Sequence, residues 1–350
     1  MFFFRRPDIG PLLEQSDALL DAGEAARALE AADEAVRTAP RNASAHQRRG
    51  AALAELGRPE DALAAYERAL SLDRKSPAAL LGAADLLVGS LREEPEALER
   101  GLGLCVRGAK LTRKLRDARL EAEFALLEGV ALNELGNPRE ALARIDAALA
   151  TLGRDLDGLL ERGIALFECC RFDEARRQFE DVLAAAPDEP WAHHYLGLLA
   201  ERRGEAAEAQ RRFRAAQRLA PEEFPPPVTL TEKEFDAVLE AAIGRLPEPV
   251  RRYLGNVAIA VEPFPAEGDL AGGDVSPTVL GLFRGSPLAE KASMDPWAHF
   301  PSSIVLYQRN LERFAEDRED LIEQIDVTLI HEVGHFLGFD EDDLAERGLD

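Results

Sequence analysis

Two histidines four residues apart enclose a glutamate in the run His331-Glu332-Val333-Gly334-His335. On a helix, positions i and i+4 share one face, so both imidazoles can converge on a single ion. Glu332 is turned about 100° from His331 around such a helix. That puts its carboxylate beside the ion rather than on it, where it can take a proton from a water. The pattern H-E-x-x-H therefore predicts one Zn²⁺ per chain, held by His331 and His335, with Glu332 as general base. The chemistry it predicts is hydrolysis of a peptide bond.

A third ligand has to come from outside the motif. Gly338 and then Asp340-Glu341-Asp342-Asp343 follow it, and only fifteen residues follow His335 in this sequence. A ligand on a separate downstream helix needs more chain than that, so a local one is expected. Two or three extended residues after Gly338 span roughly 7–10 Å, enough to bring an acidic side chain back over the imidazoles. Glu341 and Asp340 are the candidates, and His299, upstream, is the alternative. Asp340, Asp342 or Asp343 could instead fold over the position that a water needs. Tyr307 and His299 are upstream groups that could donate to an oxyanion.

The element that has to position the motif is a helix from about Glu319 to Leu337. Leu321, Ile322, Ile325, Leu329, Ile330, Val333, Phe336 and Leu337 recur at three- and four-residue steps. Glu319 and Asp320 stand at its N-terminal end, where the helix dipole favours anions. Gly338 is the expected stop, since a residue free to take positive φ turns the chain there. Before this helix come strand candidates at Val257–Val261, Val279–Phe283 and Ile304–Gln308, rich in β-branched and apolar residues.

The run His331-Glu332-x-x-His335-x-x-Gly338 with acidic residues close behind resembles the minimal zincin-like metallopeptidases of bacteria, whose pattern is H-E-x-x-H-x-x-G-x-x-D. Val279-Leu280-Gly281-Leu282-Phe283-Arg284-Gly285 and Ile304-Val305-Leu306-Tyr307-Gln308-Arg309 extend the resemblance upstream, over roughly residues 229–350. It implies an α+β zincin-like domain in which a sheet edge beside the zinc helix holds an extended peptide. By that resemblance Ile304, Val305, Leu306 and Tyr307 form the candidate edge. The family's aspartate position, ten residues after the first histidine, is Glu341 here, with Asp340 just before it. No methionine follows the motif, so a Met-turn is absent.

The first two-thirds of the chain repeats itself. Gly129, Gly163 and Gly197 are spaced by 34 residues, Ala141, Ala175 and Ala209 follow each by twelve, and Pro187 and Pro221 close the last two units. Gly50, Ala62, Tyr66 and Ala69 fit the same register, and Ala28, Ala35 and Pro40 mark an earlier unit. The pattern resembles the tetratricopeptide repeat, a helix-turn-helix unit. Six units are expected, at about 9–42, 43–76, 77–115, 122–155, 156–189 and 190–223, the third irregular with Ala84 where glycine would stand. Leu126, Val130, Leu160, Ile164, Phe167, Trp191 and His194 are candidates to line the solenoid's groove. His46 and His193 read as ordinary helix positions.

The expected organisation is an all-α tetratricopeptide-repeat solenoid over 1–222, a proline-rich linker over 223–229, and the zincin-like domain over 230–350. Pro225-Pro226-Pro227 cannot continue a helix. Thr231-Glu232-Lys233-Glu234 reads as a capping box that opens a new helix to about Leu246.

With 350 residues and 46% hydrophobic content the chain can bury two cores. A formal charge of −23 argues against nucleic acid and against anionic membranes as partners. The start, Met1-Phe2-Phe3-Phe4-Arg5-Arg6, does not read as a signal peptide, and no apolar run is long enough to span a membrane. Three cysteines, Cys105, Cys169 and Cys170, fit a reduced, cytoplasmic setting. The expected function is zinc-dependent peptide bond hydrolysis, with the repeats recruiting a protein substrate or partner. The alternative is a non-catalytic repeat scaffold whose zincin-like domain is inactive or holds zinc structurally.

Overall fold

Small residues at fixed repeat positions let helices approach closely, and in the computed structural model they set the packing of the N-terminal region. The structure describes residues 8–93, 96–255, 257–272, 275–288, 302–340 and 343–344. The chain divides into two compact units, residues 1–187 and 188–350.

Among its described residues the first unit holds five helical pairs: α1 (Gly10–Asp21) with α2 (Ala25–Thr38), α3 (Ala43–Glu55) with α4 (Pro59–Leu72), α5 (Pro77–Val88) with α6 (Ala97–Leu115), α7 (Ala118–Glu134) with α8 (Pro138–Leu152), and α9 (Leu156–Glu168) with α10 (Phe172–Ala185). Proline at the first helical position starts α4, α5 and α8. Side chains of Asn42, Ser76, Asp117 and Asp155 cap α3, α5, α7 and α9.

The repeat glycines work by absence of a side chain. A β-carbon at Gly50 would stand 2.9 Å from the Tyr66 ring, and one at Gly163 would stand 2.5 Å from the Phe179 ring. In each case the ring sixteen residues on fills the space that glycine leaves. Ala28, Ala62, Ala141 and Ala175 are fully buried in the same layers. In the irregular third pair Ala84 is likewise buried, and the close approach is made from the other helix, with Gly101 against Val88.

The second unit opens with a sixth pair, α11 (Pro190–Arg202) and α12 (Ala206–Leu219). A β-carbon at Gly197 would stand 2.6 Å from the Phe213 ring, which repeats the packing rule. Phe224 then closes onto the pair, its ring centroid 4.7 Å from that of His194 and 4.8 Å from that of Trp191. After the prolines the chain forms α13 (Glu232–Arg245), α14 (Glu248–Leu254), β1 (Ala258–Glu262), α15 (Glu267–Leu270), β2 (Gly281–Arg284), β3 (Ser303–Tyr307), α16 (Gln308–Phe314) and α17 (Arg318–Leu337). Thr231 and Glu234 make the capping box of α13.

The three described strands form one sheet in the order β1-β3-β2, with β1 parallel and β2 antiparallel to β3. This corrects the expected edge. Ile304, Val305, Leu306 and Tyr307 lie in the central strand, fully buried and paired on both sides, and Gln308 already begins α16. The physical reason is visible in the composition: a strand apolar at successive positions is one covered on both faces. Ile304 and Leu306 meet Phe235 and Leu239 of α13 and Leu321, Ile325, Leu329 and Phe336 of α17 in one core.

The sixth pair is fastened inside the second unit by arginines. Arg313 of α16 pairs with Glu201 of α11 and lies over the Phe213 ring, 4.9 Å from its centroid. Arg202 donates to the Pro265 carbonyl at 2.8 Å and lies over Phe264. Among the described residues no helix is long and apolar enough to cross a membrane.

Candidate metal and catalytic site

The helix that carries the motif is held at both ends. Asp317 caps α17 by accepting from the backbone N–H groups of Glu319 and Asp320 at 2.8 and 3.0 Å. At the other end Gly338, with φ of 101°, turns the chain left-handed. The N–H of Phe339 then returns to the Gly334 carbonyl at 3.0 Å, a Schellman-type closure. Leu344, fully buried, packs onto Gly334 of the helix.

These ends aim the two imidazoles. His331 and His335 bring their Nε2 atoms within 3.1 Å of each other. Two nitrogen ligands of a tetrahedral zinc, each about 2.0–2.1 Å from the metal, stand roughly 3.3 Å apart. The turn at Gly338 also brings the Phe339 carbonyl to 3.1 Å from His335 Nδ1. A carbonyl only accepts, so Nδ1 carries the proton and Nε2 presents its lone pair, the tautomer a metal ligand requires.

Glu332 is buried at 5% exposure, on the face of α17 that meets β2. There Gly281 makes room: a β-carbon at that position would stand 2.6 Å from Thr328 Cγ2, 3.0 Å from Glu332 Cγ and 3.2 Å from Glu332 Oε1. The carboxylate therefore sits directly beneath the strand. Gly281 and the neighbouring Phe283 share this face, and Phe283 packs toward Phe336.

The histidines, Glu332, Gly338, Phe339 and Asp340 line a groove of about 610 Å³ together with Val275, Ser276, Val279 and β2. Among the described residues β2 pairs with β3 only, so its other side is a free edge there. Tyr307 donates its N–H to the Leu280 carbonyl at 2.8 Å. By the alternation of an antiparallel ladder, the N–H and C=O groups of Gly281 and Phe283 point outward along that edge.

Asp340 reaches the groove, and its Oδ1 accepts the Asp343 N–H at 2.9 Å. Glu341, Asp342 and His299 lie outside the described residues. Among the described residues no third histidine, cysteine, aspartate or glutamate joins the two imidazoles as a metal-holding group. The donor set present, two converging imidazoles with one proton position fixed, fits zinc.

Tyr307 is not available to an oxyanion. Its hydroxyl lies 3.3 Å from Asp269 Oδ2 and 3.4 Å from the Arg284 guanidinium, which also binds Glu262 through two hydrogen bonds of 2.9 and 3.0 Å. Burial, and next the Asp269 carboxylate, push the phenol up to about 12. By the strand alternation this network lies across the sheet from α17. Of the repeat residues proposed for a groove, Phe167 is buried against Phe172, and Trp191 and His194 are engaged by Phe224.

Sequence reasoning missed Gly281, Thr328 and the Phe339 carbonyl. Glycine inside a strand pattern was the available signal for the first, because it marks close approach of another element.

The fold and this groove define a helical-repeat protein with a small α+β domain of zincin-like geometry at its end. The chain belongs to the tetratricopeptide-repeat family, whose profile matches residues 13–79, 48–100, 126–190 and 160–224, together more than half of it. The profile of the zincin-like metallopeptidase family matches residues 254–349. Among solved structures, Pseudomonas aeruginosa pilF is similar at 17% identity and a TM-score of 0.50, covering 65% of this chain and 96% of that one. PilW, a type IV pilus biogenesis factor, is similar at 15% identity and a TM-score of 0.52, covering 61% and 94%. Both likenesses are of fold. No curated protein matches the chain.

Proposed function

We propose that the protein is a zinc-dependent metallopeptidase whose repeats recruit a protein substrate or partner. One observation carries this reading: the two Nε2 atoms converge at 3.1 Å while Glu332 is buried beside them under β2, whose outer edge is unpaired among the described residues. A structural zinc site needs the histidines but has no use for a buried carboxylate next to them.

In this reading His331 and His335 hold the ion, and an acidic residue of the turn, Glu341 or Asp340, completes the set. Asp340 already serves as a backbone cap through Oδ1, which favours Glu341. Zinc bound there supplies a Lewis acid for the scissile carbonyl and lowers the pKa of a water. The chain's own groups do the rest. An extended peptide adds to the β2 edge through the outward N–H and C=O groups of Gly281 and Phe283. The Glu332 carboxylate accepts a proton from the attacking water and returns it to the leaving amine. Burial of Glu332 beneath Gly281 holds the carboxylate in one orientation and excludes bulk water from that side.

The three cysteines are free thiols, Cys105 buried, which is consistent with a reducing cytoplasm.

The test is zinc content of purified wild type, Glu332→Gln, Glu341→Ala and Asp340→Ala, with hydrolysis of casein followed alongside. We expect zinc near one ion per chain in wild type and Glu332→Gln, hydrolysis in wild type only, and loss of zinc in Glu341→Ala. Absence of zinc from wild type rejects the reading. Zinc without hydrolysis in wild type favours a scaffold.

A further inference from the structure

The groove beside Glu332 has a chemical character of its own. Val275, Val279, Leu282, Phe283, Pro287 and Phe339 line it, each partly exposed. Among the described residues its ionisable lining, the two histidines aside, consists of the carboxylates Glu332 and Asp340, and no lysine or arginine lines it. The cation of the adjoining strand, Arg284, is consumed by Glu262 and Asp269. Asp340 is exposed and lines the groove, on a chain whose formal charge is −23.

These features set what a peptide meets along the β2 edge. Residues next to the scissile bond face aliphatic and aromatic walls, which favour Leu- or Phe-sized side chains by removing them from water. Residues further out approach the exposed Asp340 and a chain of net negative charge, which attracts cations and repels carboxylates. We propose that the groove takes peptides with apolar residues flanking the scissile bond and basic residues beyond them, and that it rejects acidic peptides. The proposal rests on the peptidase reading for the location of the bond, but the selectivity can be measured without turnover.

The experiment uses the full-length, zinc-loaded Glu332→Gln protein and three fluorescein-labelled peptides. One has a Leu-Phe centre flanked by lysines, one the same centre flanked by glutamates, and one a Ser-Ser centre flanked by lysines. Anisotropy titration is expected to give the first peptide at least tenfold tighter binding than either of the others, a difference of about 1.4 kcal/mol. The advantage of lysine over glutamate is expected to shrink as salt rises from about 0.05 M to about 0.5 M, while the advantage of Leu-Phe over Ser-Ser persists. In Val279→Lys, a change on the groove wall outside the metal site, the lysine-flanked peptide is expected to lose most of its advantage. Equal binding of the glutamate peptide, equal binding of the Ser-Ser peptide, or binding of none overturns the proposal. The peptidase reading is judged separately by wild-type cleavage: selective binding without cleavage keeps the groove's selectivity and removes the enzyme, and cleavage without selectivity does the reverse.

Discussion

Gly281 on β2 and Glu332 on α17 are matched across the domain, since a β-carbon on the glycine would stand 3.2 Å from the glutamate's Oε1 and 3.0 Å from its Cγ. The base candidate is thus held by the lack of a side chain on a strand fifty-one positions earlier. Gly281→Val is expected to displace the carboxylate, lowering casein hydrolysis by about 10²-fold. Zinc content should stay at the wild-type level, because the imidazoles are aimed by the other end of the helix. Metal analysis and initial rates on the same preparation check this; loss of zinc together with activity would mean that the strand positions the whole site.

Gly338 should behave in the opposite way. Its φ of 101° brings the Phe339 carbonyl onto His335 Nδ1. Gly338→Ala is expected to cost about 1–2 kcal/mol of stability. It should also weaken zinc binding by roughly 10–100-fold, the usual cost of losing a partner behind a ligating histidine. Competition with a chromogenic chelator gives the affinity, and urea unfolding gives the stability.

Arg313 ties α16 to the last helical pair through Glu201 and the Phe213 ring, both partners being half-buried or more. Arg313→Ala leaves Glu201 without that partner and is expected to destabilise the second unit by roughly 1–3 kcal/mol. Arg313→Lys should recover only part of this, since an ammonium cannot both stack and pair as a guanidinium does. Thermal unfolding of the full-length variants measures the difference.

His194 sits against Phe213 and Phe224, and burial, reinforced by Arg313, lowers its pKa to about 4. A base whose folded-state pKa is depressed stays neutral in the fold while the unfolded chain takes up the proton. Its contribution is therefore intact above about pH 6.5 and is lost as pH falls from there toward 4. The full loss is on the order of 3 kcal/mol. His194→Phe keeps the aromatic packing and should flatten that part of the pH dependence, read as the wild-type minus variant difference in urea stability between pH 7 and pH 4. An unchanged difference would refute the assignment.

The repeats offer an independent check. A β-carbon at Gly163 would meet the fully buried Phe179 ring at 2.5 Å. Gly163→Ala is expected to cost roughly 1–3 kcal/mol by overpacking, although alanine favours a helix more than glycine does. Circular dichroism during urea unfolding measures it.

Much of this protein was legible without coordinates because the determining physics is local. An H-E-x-x-H run on an apolar three-and-four pattern ended by Gly338 fixes a helix with two imidazoles on one face, and α17 has that form. A 34-residue period of small residues fixes helical pairs, and Thr231 with Glu234 fixes the start of α13. Each of these depends on residues a few turns apart.

What only the tertiary structure decided are relations between segments distant in sequence. Ile304–Tyr307 resembled an edge, but strand order depends on which segments come to flank it, and β1 and β2 enclose it. Tyr307 became part of an ion-pair network with Arg284, Glu262 and Asp269 because strand alternation sends it away from α17. Gly281 acquired its role only when β2 crossed Glu332, and the Phe339 carbonyl only when the left-handed turn at Gly338 brought it under His335. The helical period of a sequence specifies which side chains share a face. What that face meets is settled by packing of the whole domain.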